Sequence, residues 1–148
     1  MLTLHTITLE EDQKLSEFSN AVKFDLFSTY ASYYEKIGFN PPWVGYFIIQ
    51  ENQVVGTCGF TGKPKDGKVE IAYWTFPEFQ RKGIASFACK ELIDLSKMAD
   101  PTVIISAKTA PEYNASTKIL QRNGFEFQGI VKDDDIGEAW EWIQQSAK

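Results

Sequence analysis

The stretch from residue 69 to residue 107 constrains this chain most. Val69, Ile71 and Tyr73 alternate with Glu70, Ala72 and Trp74, as in a strand over 69–75, and Pro77 ends it. Residues 82–98 then carry an apolar stripe at helical spacing, formed by Ile84, Phe87, Ala88, Leu92 and Leu95. Pro101 follows, and residues 103–107 form a short apolar run of the kind buried on both faces of a sheet. A strand, a long helix and a second strand in succession require a sheet with a helix packed on its face.

The flanking residues extend this unit. Before it, residues 44–50 and 54–60 read as two strands joined by a Glu51-Asn52 hairpin turn. After it, residues 114–123 read as a helix stopped by Gly124, and residues 125–132 and 138–143 as closing strands around an acidic turn. The N-terminal third mixes helix and loop. Helices are expected over 10–20 and 22–37, the second ending at Gly38 before Asn40-Pro41-Pro42. The aromatics Phe24, Phe27, Tyr30, Tyr33 and Tyr34 recur at helical spacing there, either to pack the helix on the sheet or to line a pocket. The expected architecture is one α/β domain over 1–148: a mixed, largely antiparallel sheet with helices on both faces.

Composition excludes several classes. At 148 residues, 43% hydrophobic and 24% charged, the chain suits one globular domain rather than a disordered tail. No apolar run approaches the ~20 residues that span a bilayer. A net charge of −5 and the lack of a basic run argue against nucleic acid as a partner. The two cysteines, Cys58 and Cys89, read as buried free thiols, and no secretory leader is evident, so a cytoplasmic setting is expected. One histidine, His5, and no ligand cluster give no reason to expect a metal. Asp133, Asp134 and Asp135 read as a solvated hairpin.

Two segments resemble phosphate loops. Residues 62–69 nearly match a Walker A pattern, but Val69 stands where Ser or Thr must hold magnesium, and a strand follows instead of a helix. Gln80, Arg81, Lys82, Gly83, Ile84 and Ala85, with Ser86 following, lead straight into the long helix. Glycine permits close backbone approach, small Ala85 leaves the first turn open, and orphan N–H groups there favour an anion. Such a loop suits a diphosphate without metal.

Residues 69–85 together resemble the central strand and loop of the GCN5-related N-acetyltransferases, whose loop reads Q/R-x-x-G-x-G/A. Asn114-Ala115-Ser116 and the later Gly124-Phe125 resemble that family's following helix and its closing pair. The style is similar to the RimJ/RimL-type ribosomal-protein N-terminal acetyltransferases. The resemblance covers about residues 44–143. It implies a splayed central strand pair, with the pantetheine arm of acetyl-CoA entering beside Trp74, Thr75 and Phe76, and the diphosphate on residues 80–86. It implies direct acetyl transfer to a primary amine, either a protein N-terminus or a small molecule. Glu70 is the base that the resemblance suggests, against the plainer reading of a solvent-side strand residue. Ser116 matches a serine credited with protonating the leaving thiolate in that subgroup; alternatively it makes a helix-start hydrogen bond. The tyrosine acid of many relatives falls on Leu120, so a catalytically inactive CoA-binding or sensor module of the same fold is the rival reading. Asn114 is either a pantetheine contact or a plain helix cap. Relatives often pair through their C-terminal strands, and Trp140 and Trp142 suit a homodimer contact of that kind.

Overall fold

The computed structural model describes residues 2–7, 32–133 and 137–144. Among the described residues, seven strands form one sheet: β1 (Leu2–Thr6), β2 (Gly45–Gln50), β3 (Gln53–Phe60), β4 (Lys68–Thr75), β5 (Ile104–Thr109), β6 (Phe125–Asp133) and β7 (Gly137–Gln144). Their spatial order is β1-β2-β3-β4-β5-β7-β6. Only the β4–β5 pair is parallel; the others run antiparallel. The helix α1 (Ile84–Ala99) makes the crossover between β4 and β5, and α2 (Ala115–Arg122) follows β5. This is the mixed, largely antiparallel sheet expected. Among the described residues, no helix is long and apolar enough to cross a membrane.

Strand β1 was not expected. Leu2 and Leu4 alternate with Thr3 and His5, but the run is short, and the strand gains its place by pairing with β2, His5 lying opposite Phe47. Residues 32–37 are helical, in line with the end of the helix expected over 22–37. The helix expected over 10–20 lies outside the described residues. Tyr34 ties this segment to the sheet: its Oη donates to the Ile7 carbonyl (2.7 Å) and accepts from the Gly45 N–H (2.9 Å). The hairpin between β2 and β3 is as expected, with Glu51 and Asn52 both at positive φ. The Walker-like stretch is the loop from β3 to β4, turning at Asp66 and Gly67.

Strand β5 differs from its expected form. It starts at Ile104 rather than 103 and runs on to Thr109, and Ile104 is 46% exposed, so its first residue is not buried on both faces. Burial on α1 is deepest at Ile84, Ala88, Cys89, Leu92, Ile93 and Ser96, with Phe87 and Leu95 at the margin. Both cysteines are free and buried, as expected. Burial pushes the Cys89 thiol up to about 12, and Cys58 rises for the same reason.

Strand β3 lies unusually close to β4. A Cβ on Gly56 would stand 2.4 Å from the Trp74 carbonyl and 3.1 Å from the Thr75 Cα. Gly56→Ala should therefore force the two strands apart and cost about 1–3 kcal/mol, the range for overpacking. Chemical denaturation checks this, and wild-type stability would show that the strands have room to move.

Candidate active site: a wedge between two parallel strands

Pairing between β4 and β5 runs from Lys68↔Ile104 to Ile71↔Ala107 and stops there. On its other side, β4 stays paired with β3 as far as Thr75. The last four residues of β4 thus have a neighbour on one edge only, and a wedge opens between the two parallel strands. Backbone directions alternate along a strand. The Glu70 carbonyl accepts from Thr61 N–H and the Phe76 N–H donates to the Val55 carbonyl, so both face β3. Ala72 and Trp74 share that direction. Tyr73 and Thr75 turn their main-chain groups into the wedge, as Val69 does further down, where its carbonyl accepts from Ser106 Oγ at 3.3 Å. Of Trp74, Thr75 and Phe76, Thr75 alone offers backbone to the wedge. Tyr73 joins it, a residue that sequence reasoning passed over and that strand parity identifies.

The open end of the wedge meets the start of α1. Arg81 and Gly83 both have positive φ, and Gly83 is the N-cap with no side-chain cap bond. Phe87 N–H bonds to the Gly83 carbonyl, so the N–H groups of Ile84, Ala85 and Ser86 precede the first helical bond. A Cβ at Gly83 would meet nothing within 4 Å. Arg81 and Lys82 are exposed, Lys82 lying 5.8 Å from the Phe79 ring centroid. Gln80 bends back, its Nε2 reaching the Thr75 carbonyl at 3.4 Å. Thr75 Oγ1 is buried without a hydrogen-bond partner. Leaving a buried hydroxyl unpaired costs about 1–3 kcal/mol. An uncapped helix start, an unpaired strand edge and an orphan hydroxyl in one row fit an elongated ligand with an anionic end and an amide-bearing arm.

The two sheet faces beside the wedge differ. Tyr73 and Thr75 point their side chains to the face that carries α1 and α2. Tyr73 lies beside Cys89 of α1, and its Oη donates to the Ser116 carbonyl of α2 at 3.4 Å. Burial, with Cys89 adding to it, drives the Tyr73 pKa far above the ordinary tyrosine value. On the opposite face stand Glu70, Ala72 and Trp74. Ala72 is exposed and small; Trp74 is 51% exposed, its ring edge-on to Phe76 with centroids 4.9 Å apart. Glu70 is not a free solvent-side residue. Lys108 Nζ lies 3.2 Å from its Oε1 and 3.7 Å from Asp133 Oδ2, and Lys68 pairs with Glu141 at 2.9 Å on the same face.

Helix α2 is held by a reciprocal cap. Asn114 Oδ1 accepts from Thr117 N–H at 3.2 Å, and Thr117 Oγ1 accepts from Asn114 N–H at 2.9 Å. The Asn114 amide nitrogen donates to Glu112 at 3.3 Å. Its side chain is thus engaged in capping. Ser116 occupies the second helical position and is half-buried, on the helix side of the sheet, across the wedge from Glu70. Leu120 is fully buried.

A strand-edge wedge beside an uncapped helix start is the arrangement that this fold offers to an elongated ligand with an anionic end. The model of the acetyltransferase (GNAT) domain matches residues 5–126, and the chain belongs to this family. It is 35% identical over 88 residues to an uncharacterised N-acetyltransferase p20 of Bacillus licheniformis, a match covering 58% of this chain and 49% of that protein. The match thus spans about half the length of that relative. The fold is also that of RimL, a ribosomal L7/L12 alpha-N-protein acetyltransferase, at TM-score 0.69 and 18% identity over 98% of this chain and 93% of that one. The microcin C7 self-immunity acetyltransferase MccE, solved with acetyl-CoA and AMP, matches at TM-score 0.65 and 18% identity over 84% of this chain and 72% of that one.

Partial burial opposes the charge on Lys108, but Glu70 and Asp133 outweigh it and raise its pKa. A raised lysine pKa means that the native state holds this proton more tightly than the unfolded chain does. The stabilisation is complete at neutral pH and is lost as pH climbs through the lysine range. Lys108→Met should cost about 1 kcal/mol or less at pH 7, the usual worth of a part-exposed pair. The deficit should shrink as pH rises past that range; denaturation curves at both pH values test it, and a pH-independent deficit would show that packing, not charge, is lost.

Proposed function

We propose that the protein transfers acetyl from acetyl-CoA to a primary amine. The observation that carries this is the wedge after Ile71↔Ala107, with α1 beginning at its open end. The diphosphate sits on the N–H groups of residues 84–86, with Arg81, Lys82 and Gln80 around it. The pantetheine arm runs along the main chain of Thr75 and Tyr73. The thioester then reaches the apex near Ala72. Asn114 caps α2, and its side-chain amide also donates to Glu112.

The acceptor approaches from the opposite face, where Ala72 makes a small floor between Glu70 and Trp74. Each lies two residues away, about 7 Å along the strand. An indole wall and a carboxylate wall suit an amine. Glu70 takes the amine's proton, directly or through water. Deprotonating a lysine-like amine at pH 7 costs about 4–5 kcal/mol, and an α-amine about 1 kcal/mol, so a peptide N-terminus is the easier acceptor. No covalent enzyme intermediate is needed, since CoA is a good leaving group and the site's contribution is positioning and proton removal. Ser116 donates toward the leaving sulfur.

Purified protein given acetyl-CoA and a panel of peptide N-termini, amino acids and polyamines should release free CoA. Glu70→Gln should lower kcat by about 100-fold or more with CoA affinity kept. Wild-type turnover in this variant would exclude Glu70 as the base. Gly83→Glu should abolish CoA binding while the protein stays folded, because the new carboxylate repels the diphosphate. Leu120, apolar where many relatives carry a tyrosine, favours the rival of a CoA-binding module without catalysis. Tight acetyl-CoA binding with no turnover on any amine is the result that would support it.

A further inference from the structure

We propose that Tyr73 is the hydrogen-bond donor to the leaving sulfur, acting beside Ser116; this rests on the acetyl-CoA reading above. Three observations lead there. First, Tyr73 leaves β4 within the unpaired stretch, one step from the apex, and points to the helix side. Second, its Oη reaches the Ser116 carbonyl in the first turn of α2, so the phenol crosses from one wall of the wedge to the helix that follows the other wall. A ligand threaded into the wedge from the α1 end meets Thr75 first and Tyr73 second, which brings the far end of the arm, where the sulfur is, against the phenol. Third, that hydrogen bond is replaceable. At 3.4 Å it exceeds the ~2.5–3.0 Å usual for O–H···O. The Ser116 carbonyl, inside a helix, also takes its i+4 backbone bond, so it loses little when Tyr73 turns away.

The burial that keeps Tyr73 protonated makes it a donor rather than a proton source. The amine nitrogen bonds to the thioester carbon, the C–S bond breaks, and its electron pair leaves on sulfur. The amine's proton goes to Glu70 or its water. Tyr73 O–H donates to the sulfur as charge grows and keeps its own proton, and the CoA thiolate takes a proton from water on release. Leu120, fully buried, brings no hydroxyl to this place.

The test has two readouts. Tyr73→Phe should bind CoA within about threefold of wild type, yet lose about 10- to 100-fold in kcat, the worth of a hydrogen bond to a charged group. In addition, the thiol of bound CoA, titrated by its ultraviolet thiolate absorbance against desulfo-CoA as blank, should ionise about one pH unit below free CoA in the unaltered protein. That shift should be lost in Tyr73→Phe. A purely structural role would leave the thiol titration unmoved. An unshifted thiol in the unaltered protein overturns the proposal without any variant, as does a Ser116→Ala protein that reproduces the whole loss while Tyr73→Phe behaves as wild type. Failure of the unaltered protein to bind CoA would instead sink the acetyl-CoA reading and this inference with it.

Discussion

Four paired residues between β4 and β5 set the terms for the rest of the molecule. Parallel strands cannot be joined by a tight turn, so α1 must lie between them in sequence and across one face in space. Its N-terminus then falls at the end of β4 where the pairing has already stopped. Unpaired strand groups and uncapped helix N–H groups are each costly when left without partners. Here they open on the same side, where the proposed acetyl-CoA, with amides at one end and phosphates at the other, would offset both costs together. Gly56 matters to this indirectly. It lets β3 close tightly on Trp74 and Thr75, so β4 is held rigid on one edge while the other stays open.

Strand alternation divides the labour across the sheet. Tyr73 and Thr75 face the helices, whereas Glu70, Ala72 and Trp74 face away. In the proposed complex, a thioester in the wedge faces a carboxylate on one side and hydroxyls on the other. Direct transfer needs that arrangement: the attacking amine loses a proton where a base can take it, while the departing sulfur gains negative charge where donors can meet it.

Much of this was legible in the sequence, because it rests on local pattern. The alternation over 69–75 separates Glu70 from Tyr73, and a glycine before an apolar helical stripe marks the uncapped start of α1. The wedge was expected only through the family resemblance, which implies a splayed central strand pair, and not from local pattern. Where pairing ends is decided by how two strands diverge, and nothing local to Ala72 or Lys108 records it. Strand β1 escaped because its alternation, Leu2 and Leu4 against Thr3 and His5, is only a few residues long, and its place comes from pairing with β2. Asn114 shows the limit of motif reading: an Asn before a helix suits ligand or cap alike, and its reciprocal bonds with Thr117 appear only when the turn is built. Lys108 carried no sequence signal either, yet it pairs with Glu70, the carboxylate proposed as the base.

That ion pair bears on which amine can be accepted. Lys108 already places an ammonium between Glu70 and Asp133. An incoming ammonium must share these carboxylates or displace Lys108, and two cations about 4 Å apart repel by roughly 4 kcal/mol at a surface-like effective dielectric. A neutral amine meets no such barrier. In the proposed reaction, the electrostatics of this face therefore disfavour acceptors that arrive strongly protonated and favour those with a low pKa, whose neutral fraction at pH 7 is larger. The same distinction separates an α-amine from a lysine side chain, so the charge arrangement and the cost of deprotonation select in the same direction.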